Sequence, residues 1–239
     1  MSEEEALHEK IRHLKCSNES LHNFAYMAAH ELQEPLRAMD SFLNLLSKKY
    51  GPELTEEAND WLSETVAGTN RMRALIQSLL TFSLADSQEI VFESVRCADV
   101  LKSALVDLKP VLEAKNVQVI VESDLPTVWA NAILLSLLFR NLIGNSVKYC
   151  SERPTIKIRA TAEKDEIIFE FADNGIGFDM KYVDKIFHPF ERLHSKADYP
   201  GTGLGLALCR RIIERHHGRI WVHSEVDNGS TFSFALPIC

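Results

Sequence analysis

The chain of 239 residues lacks the features by which proteins bind nucleic acid or enter a membrane. Its 26 lysine and arginine residues are outnumbered by 34 aspartate and glutamate residues, and the basic ones form no cluster. This balance argues against a nucleic-acid surface and favours a nucleotide or another protein as partner. No apolar run approaches the about 20 residues that span a bilayer, and the acidic start MSEEEALHEK differs from a signal peptide. We therefore expect a cytoplasmic protein with no direct membrane span.

Two further absences narrow the kind of site that the chain can carry. The five cysteines are widely scattered and form neither a C-x-x-C pair nor a spacing typical of metal sites, which indicates reduced, structural thiols. The pattern GxxxxGK[ST] is also absent, so a P-loop is excluded. A nucleotide site in this chain must therefore be of another type.

Glycine is absent from residues 3–49 and Pro35 is the only proline there, so we predict one long helix. After a Tyr-Gly-Pro break at residues 50–52, a second helical segment over residues 55–85 completes a helical hairpin.

The first of these helices carries a heptad repeat that we call the seam. Its d positions are Leu7, Leu14, Leu21 and Ala28, and its a positions are Ile11, Asn18 and Ala25. The seam predicts a parallel homodimer through residues 1–85, in which two hairpins form a four-helix bundle. The alternative is one amphipathic helix packed within its own domain.

The helical pattern becomes mixed at about residue 88, so we predict two domains, residues 1–87 and 88–239. Asp99 is expected to cap the first helix of the second domain, and Pro110 to bend or divide it. The fold class is therefore α+β, with a helical hairpin before a mixed sheet covered by helices. Strands are expected near residues 90–96, 117–122, 128–130, 155–162, 167–172, 219–224 and 231–236, and helices near 99–116, 131–150 and 205–217.

His30 is the candidate nucleophile of the first helix, in the stretch FAYMAAHELQEPLR. A carboxylate that holds the protonated nitrogen of a neutral imidazole leaves the other lone pair free to attack, and Glu31 is the expected carboxylate. Pro35 removes one helix hydrogen bond and is expected to kink or loosen the helix just beyond the histidine. Taken alone the pair is weak evidence, because the chain has nine histidines.

Three polar residues interrupt the apolar helix predicted over residues 131–150. Asn141, Asn145 and Lys148 recur at i, i+4 and i+7 and therefore share one stripe of the helix. Asparagine carbonyl oxygens are hard ligands suited to Mg²⁺, and the lysine can neutralise a phosphate oxygen. The alternative is that the asparagines bond to neighbouring backbone.

Two glycine-rich motifs follow in the second domain. Asp173 ends a strand in the sequence DNGIG, where its carboxylate can accept the exocyclic amine of adenine and the glycines allow close backbone approach. The sequence GTGLGL at residues 201–206 opens a helix whose N–H groups suit phosphate. The polar segment between them contains FHPFER at residues 187–192 and is expected to form a mobile nucleotide lid.

Five motifs in this order resemble those of two-component sensor histidine kinases. HELQEPLR at His30 resembles the phosphoacceptor box, NLIGNSVKY at Asn141 the N box, DNGIGF at Asp173 the first glycine box, FHPFERL at Phe187 the F box, and GTGLGLAL at Gly201 the second glycine box. Together the five motifs cover nearly the whole chain from about residue 20 onward. We call those at Asn141 and Phe187 the N motif and the F motif. The QEPLR ending and the sequence RLHSKADYPGTGLGLAL look most like kinases linked to phytochrome or PAS-type sensors.

The resemblance implies that the second domain is an α/β sandwich of the Bergerat type, with ATP and Mg²⁺ as its ligands. Each site residue is implied by its place in a matching motif. The set comprises Asn141 and Asn145 for Mg²⁺, Lys148 for a phosphate, Tyr149 for the face of the nucleotide, Asp173, Gly175 and Gly177 for adenine, Gly201, Thr202, Gly203, Leu204 and Gly205 near the phosphates, and Phe187 and Phe190 as anchors of the lid.

By the same resemblance, His30, with Glu31 beside it, would be phosphorylated from ATP and would pass the phosphoryl group to an aspartate of a response regulator receiver domain. Glu34 stands where members that also remove phosphate from their regulator usually carry threonine or asparagine, so phosphatase activity by that route is not expected. A sensor domain, or a separate sensor partner, is expected to supply the signal. A non-catalytic dimeric module that binds ATP and a regulator is the second hypothesis.

Overall fold

The computed structural model describes residues 3–87, 91–150, 153–194, 199 and 201–238. The chain divides into two compact units, Met1–Gln88 and Glu89–Cys239. Within the described residues, no helix is at once long enough and apolar enough to cross a membrane.

The first unit is a helical hairpin, as the glycine-free sequence predicts. Its elements are α1 (Glu3–Tyr50), a 3₁₀ turn (Gly51–Glu53) and α2 (Glu56–Ser87). At the turn, the side-chain amide of Asn59 donates to the carbonyl oxygen of Gly51 at 2.9 Å and so ties the start of α2 to the end of α1. The helix assignment runs without a break through Pro35, so the predicted loosening there does not end α1.

Polar contacts cross between the two helices of the hairpin. Asp40 of α1 is buried and accepts a hydrogen bond from Arg73 of α2 at 2.5 Å, and Gln33 donates to Gln77 at 3.1 Å. Loss of Arg73 would leave the buried carboxylate of Asp40 without its partner, so this pair favours the helix register that joins them. Among the described side chains of this unit, the others that are buried are small or apolar: Ala29, Leu36, Thr69 and Leu80.

A second stripe of α1 is apolar and exposed. Leu32, Met39 and Leu46 continue the a positions of the predicted seam at intervals of seven, and Phe42 continues its d positions. All four side chains are between 43% and 71% exposed, so α2 does not cover this part of the seam. A stripe of this kind needs a further partner to leave water. The side chains of the seam that lie outside the described part are those of Ile11, Leu14, Asn18, Leu21 and Ala25.

The described part of the second unit is an α+β domain with a five-stranded and a two-stranded sheet. In the larger sheet the strand order is β2-β4-β5-β7-β6, with β2 parallel to β4 and the other neighbours antiparallel, while β1 pairs with β3. The predicted mixed sheet is confirmed. The strands are β1 (Glu93–Arg96), β2 (Gln118–Val121), β3 (Thr127–Ala130), β4 (Thr155–Glu163), β5 (Glu166–Asp173), β6 (Arg219–Glu225) and β7 (Gly229–Pro237). The helices are α3 (Cys97–Ala114), α4 (Ala132–Lys148), α5 (Val183–Ile186) and α6 (Gly205–Arg215), with a 3₁₀ turn at Met180–Tyr182.

The core of this unit is centred on the face of α4 that packs against the larger sheet. Phe139 is fully buried, and its ring lies 5.1 Å from that of Phe171 and 6.2 Å from those of Phe169 and Phe234, measured between centroids. Removing a phenylalanine from such a core costs about 3–5 kcal/mol. This packing fixes the rotation of α4 and therefore the direction of its polar stripe.

Two expectations for α3 need correction. Asp99 does not cap the helix, because Arg96 occupies the N-cap position and Asp99, inside the first turn, forms an ion pair with it at 2.6 Å. A negative charge in the first turn still interacts favourably with the helix dipole. Pro110 does not divide α3, which continues to Ala114. The carbonyl oxygen that loses its donor there belongs to Val106, which is exposed, so water can replace the missing bond.

The short elements before the second glycine motif were not predicted. The 3₁₀ turn at Met180–Tyr182 and α5 occupy three and four residues, which is too few for a periodic pattern. The segment between the glycine motifs therefore begins as ordered structure, where a polar loop was expected.

His216 is a buried histidine at the end of α6. Its Nε2 atom accepts the backbone N–H of Asn131, the N-cap residue of α4, at 3.0 Å, and its Nδ1 atom donates to the carbonyl oxygen of Ile212 at 2.7 Å. Burial lowers the pKa of His216 below its usual value, the bond to Ile212 opposes the shift, and the nearby charges of Arg215 and His217 add to it. The folded unit therefore holds this imidazole neutral.

We expect the second unit to lose stability as the pH falls below about 6.5, the ordinary histidine pKa. The unfolded chain binds a proton at His216 there before the folded one does, so the stabilisation is complete above that pH and decreases toward the lowered folded-state pKa. Denaturant unfolding at several pH values measures this. A Trp61→Phe background leaves Trp129 and Trp221 as reporters. His216→Gln should flatten the pH dependence, whereas His223→Gln, at an exposed position, should not; equal slopes for both variants would contradict the assignment.

Candidate functional site

An open pocket lies in the second unit between α4, the end of β5, β7 and the segment before α6. It encloses about 610 Å³, including the solvent space at its mouth. Four residues singled out from the sequence line it: Asn145, Tyr149, Asp173 and Gly177. The rest of the lining is largely apolar, which suits a flat organic ring with a few polar groups. These further residues are Ile176, Phe178, Ile186, Glu191, Arg192, Leu193, His194, Leu206, Ser230 and Phe232.

Asp173 is the carboxylate at the end of β5 in this pocket. Its Oδ1 atom accepts N–H bonds from Gly175 at 3.0 Å and Ser230 at 3.1 Å, and its Oδ2 atom accepts the Ser146 hydroxyl at 3.1 Å. Burial raises the pKa of Asp173 above its usual value, and these three donors oppose the rise. A carboxylate in such surroundings is a strong acceptor for an N–H group of a ligand.

Gly175 and Gly177 are required by backbone contacts after β5. A Cβ atom on Gly175 would stand 2.7 Å from the carbonyl oxygen of Tyr149, and one on Gly177 would collide with the carbonyl oxygen of Glu225. Gly177 also has φ of +56°, which favours glycine. The expected opening of space for a ligand applies to Gly177, which lines the pocket, whereas Gly175 serves close packing of the loop on the end of α4.

The side chains of the two asparagines of α4 have different surroundings. Asn145 lines the pocket, whereas the side-chain nitrogen of Asn141 donates to the carbonyl oxygen of Leu137 at 2.8 Å. The Oδ1 atom of Asn141 is thereby directed toward Gly205, where a Cβ atom would lie 2.9 Å from it. The alternative of a local backbone bond thus holds for the Asn141 nitrogen, and its oxygen stays available as an acceptor.

Lys148 and Tyr149 form a cation–aromatic pair at the end of α4. The Nζ atom of Lys148 lies 2.9 Å from the Tyr149 hydroxyl and 4.4 Å from the ring centroid. A Cβ atom on Gly201 would lie 2.6 Å from this ammonium. The Tyr149 ring in turn lies 5.0 Å from that of Tyr199 and 5.9 Å from that of His194. The end of the N motif therefore meets the segment before the second glycine motif.

The second glycine motif leads into α6 and is hydrogen-bonded to the F motif. Thr202 accepts the N–H of Leu204 at 3.3 Å, and the N–H of Phe190 bonds to the carbonyl oxygen of Gly203 at 3.0 Å. Gly203 has φ of +76°, and a Cβ atom there would stand 2.8 Å from the Phe190 backbone. Leu204 is the N-cap of α6 and offers no side-chain cap to the helix that begins at Gly205. The first-turn N–H groups of α6 therefore suit an anion.

The two phenylalanines of the F motif do not line the pocket. Phe187 is buried and lines a separate groove with Arg210 and Trp221, while Phe190 is 60% exposed and adopts a positive φ of 66°. Phe187 therefore holds the motif to the body of the domain, and Phe190 attaches through its backbone. The predicted lid includes residues 195–198 and 200, which lie outside the described residues.

His30 and Glu31 lie on α1 in the first unit. Both side chains are exposed, and the ring of Tyr26, one turn earlier, lies 6.4 Å from the imidazole. In the described part of the chain no hydrogen bond joins Glu31 to His30, because consecutive helical residues point in different directions. The role of Glu31 stays a prediction.

Sequence reasoning missed the residues that complete the site around Asp173. Ser230 stands directly opposite Asp173 in the β5–β7 pair, although 57 residues separate them. No local signal marks this partner, because only strand pairing creates it. Ser146 belongs to the N motif, but its hydrogen bond to Asp173 forms only because α4 packs beside β5, which the sequence does not show. His194 lies in the polar segment after the F motif, where its ring contacts Tyr149.

Two family models match the chain. Residues 20–88 match the His Kinase A (phospho-acceptor) domain, and residues 130–239 match the histidine kinase-, DNA gyrase B- and HSP90-like ATPase. The first match contains His30, and the second contains the N, F and both glycine motifs.

Curated relatives are similar over nearly the whole chain. The phytochrome-like protein Cph1 of Synechocystis sp. is 40% identical over 237 residues, which are 98% of this chain and 31% of that protein. Cyanobacterial phytochrome A of Nostoc sp. is 42% identical over 226 residues, which are 94% of this chain and 29% of that protein. The chain thus spans about a third of the length of these relatives.

Two solved structures share the fold. Full-length ShkA in complex with AMPPNP matches with a TM-score of 0.70 and 25% identity, covering 89% of this chain and 45% of that one. Histidine kinase ThkA in complex with the response regulator protein TrrA matches in fold with a TM-score of 0.62 and 19% identity, covering 89% of this chain and 61% of that one. Because a His Kinase A (phospho-acceptor) domain and a histidine kinase-like ATPase domain match successive parts of the chain, the chain belongs to the two-component sensor histidine kinase family.

Proposed function

We propose that the chain is an ATP-dependent histidine autokinase that phosphorylates His30 and then donates the phosphoryl group to an aspartate of a response regulator. The observation that carries the proposal is the pocket of the second unit, in which the buried carboxylate of Asp173 adjoins a largely apolar wall. Membership of the sensor kinase family and the exposure of His30 support it.

The nucleobase is proposed to bind at Asp173. The Oδ1 atom already accepts two backbone N–H groups, so Oδ2 is the oxygen that can take the exocyclic amine of adenine. Tyr149 lines the same pocket and supplies an aromatic face for the nucleotide, while Gly177 allows close backbone approach. A largely apolar wall beside the buried carboxylate of Asp173 suits a flat base with an exocyclic amine.

The phosphates and Mg²⁺ are proposed to bind along the polar stripe of α4. The Oδ1 atom of Asn141 and the side chain of Asn145 are hard ligands of the kind that Mg²⁺ accepts beside phosphate oxygens. When bound, Mg²⁺ offsets negative charge on the phosphates during transfer. Lys148 reaches a phosphate by leaving the Tyr149 hydroxyl. The uncapped start of α6 after Gly201, Thr202, Gly203, Leu204 and Gly205 adds N–H donors.

The chemical step is an in-line displacement at the γ-phosphorus. The neutral imidazole of His30 attacks with its free lone pair, the new N–P bond forms as the P–O bond to the β-phosphate breaks, and ADP leaves. The carboxylate of Glu31, after a side-chain rotation, holds the proton on the second imidazole nitrogen as positive charge develops. The phosphohistidine then transfers its phosphoryl group to the receiver aspartate.

The working form is proposed to be a cytoplasmic homodimer through residues 1–85. Support comes from the exposed stripe of Leu32, Met39, Phe42 and Leu46, which continues the heptad seam and faces away from α2. A sensor domain or a separate sensor partner supplies the signal.

Incubation of the purified chain with Mg²⁺ and ATP labelled at the γ-phosphate should give protein-bound label that is acid-labile and stable to alkali. His30→Gln should abolish the label, because the amide offers no nucleophilic nitrogen. His13→Gln, at an exposed position of the same helix, should keep it. Binding of ATP by both the parent and His30→Gln, with no label in either, would favour a non-catalytic module over an autokinase.

Asp173→Asn should weaken ADP binding about 10- to 100-fold, since a hydrogen bond to a charged group contributes about 1.5–3 kcal/mol. The asparagine oxygen can still accept the N–H groups of Gly175 and Ser230, so the fold is retained while an amide nitrogen faces the base. Isothermal titration calorimetry measures the affinity. Asp165→Asn, in the exposed β4–β5 turn, is the matched control, and equal affinities for both variants would remove Asp173 from the site.

Phe42→Glu should convert a dimer into a monomer, because two charged side chains would replace two apolar ones worth about 1.5–3 kcal/mol each in a seam that excludes water. Sedimentation velocity of the full chain measures this. Lys48→Glu, also exposed on α1 but at neither an a nor a d position of the repeat, should leave the dimer intact. A monomeric parent, or a variant that remains dimeric, would argue against the seam.

A further inference from the structure

Ser146 is a buried serine of α4, next to Asn145. It is 1% exposed, and its hydroxyl lies 3.2 Å from the carbonyl oxygen of Leu142 and 3.1 Å from the Oδ2 atom of Asp173. A serine inside a helix ordinarily donates to the carbonyl oxygen four residues earlier. A carboxylate is the stronger acceptor, so the single hydroxyl proton is best used on Asp173.

The two oxygens of Asp173 have different surroundings. Oδ1 accepts two backbone N–H groups, from Gly175 in the following turn and from Ser230 across the β5–β7 pair. Among the described residues, Oδ2 has one protein donor, the Ser146 hydroxyl. This hydroxyl therefore fixes the rotation of the carboxylate, and the second lone pair of Oδ2 is the one that can meet a ligand.

We infer that Ser146 is a positioning residue for the nucleobase, which acts on the exocyclic amine of adenine through Oδ2 of Asp173. The inference rests on the proposed function, because it assumes that the base binds at Asp173. The hydroxyl does two things there: it orients Oδ2 and supplies a donor to a buried charge that would otherwise depend on Oδ1 alone. The orientation directs the open lone pair of Oδ2 at the amine, and the donor favours the ionised carboxylate, which is the form that accepts.

A structural role and a positioning role differ in what they predict for ligands. If Ser146 only stabilised α4, its loss would weaken every nucleotide to the same extent. If it acts through Oδ2, its loss weakens only nucleotides that carry the exocyclic amine. Purine riboside 5′-diphosphate is ADP without that amine, so comparison of the two ligands isolates the contact.

The experiment measures both ligands by isothermal titration calorimetry on the full chain and on Ser146→Ala. Alanine leaves no clash and favours the helix, so the variant should fold. We expect Ser146→Ala to weaken ADP about 3- to 10-fold and the analogue by less than about twofold, as for loss of one net hydrogen bond. Ser233→Ala, at a buried serine of β7, should leave both affinities unchanged.

Equal weakening of both ligands by Ser146→Ala, or no weakening of either, would overturn the inference. Asp173→Asn in the same titrations tests the proposed function separately. If it fails to reduce the difference between ADP and the analogue, the base does not bind at Asp173. If it removes that difference and Ser146→Ala does not reduce it, the proposed site stands and only the positioning role fails.

Discussion

The packing of α4 against the larger sheet is the constraint on which the second unit depends. Phe139 fills the space against β5 and β7, where aromatic rings surround it on the sheet side. A helix held along one face in this way cannot rotate, so the residues on its other edge keep a fixed direction. Asn145 and Tyr149 reach the pocket for this reason. Core and site are two faces of one helix, and a change in the first alters the second without touching a polar group.

The candidate site contains a buried charged group, whose removal from water costs free energy, whereas the core is apolar. Asp173 is a carboxylate whose burial raises its pKa, and three donors from three different segments offset that burial. The loop after it packs so closely that Gly177 contacts the backbone of Glu225 and no larger side chain fits. Such a site is preorganised, because its acceptor is held in place before a ligand arrives. The same close packing ties the pocket to the β6–β7 turn, so the site depends on the whole sheet.

Two faces of α1 in the hairpin have different surroundings. One face meets α2, where Asp40 and Arg73 favour a single register. The heptad stripe that includes Phe42 lies on another face, where its side chains are exposed and not covered by α2. His30, the proposed nucleophile, is exposed and is not buried by packing within the hairpin. The proposed phosphotransfer needs this exposure, because a nucleotide-binding domain and a regulator would both have to reach the same imidazole.

The long hairpin, the mixed sheet and the motifs of the candidate site were predictable from sequence, because each depends on residue patterns within a single segment. The lack of glycine over residues 3–49 was enough for α1, and the spacing of Asn141 and Asn145 was enough to place both on one stripe. Which side chains of different segments come into contact follows from the packing of the folded domain. It put Ser230 opposite Asp173 across 57 residues and turned Phe187 away from the pocket. Strand pairing and helix packing join residues that are distant in the chain, and no pattern within one segment records which distant partner it will meet.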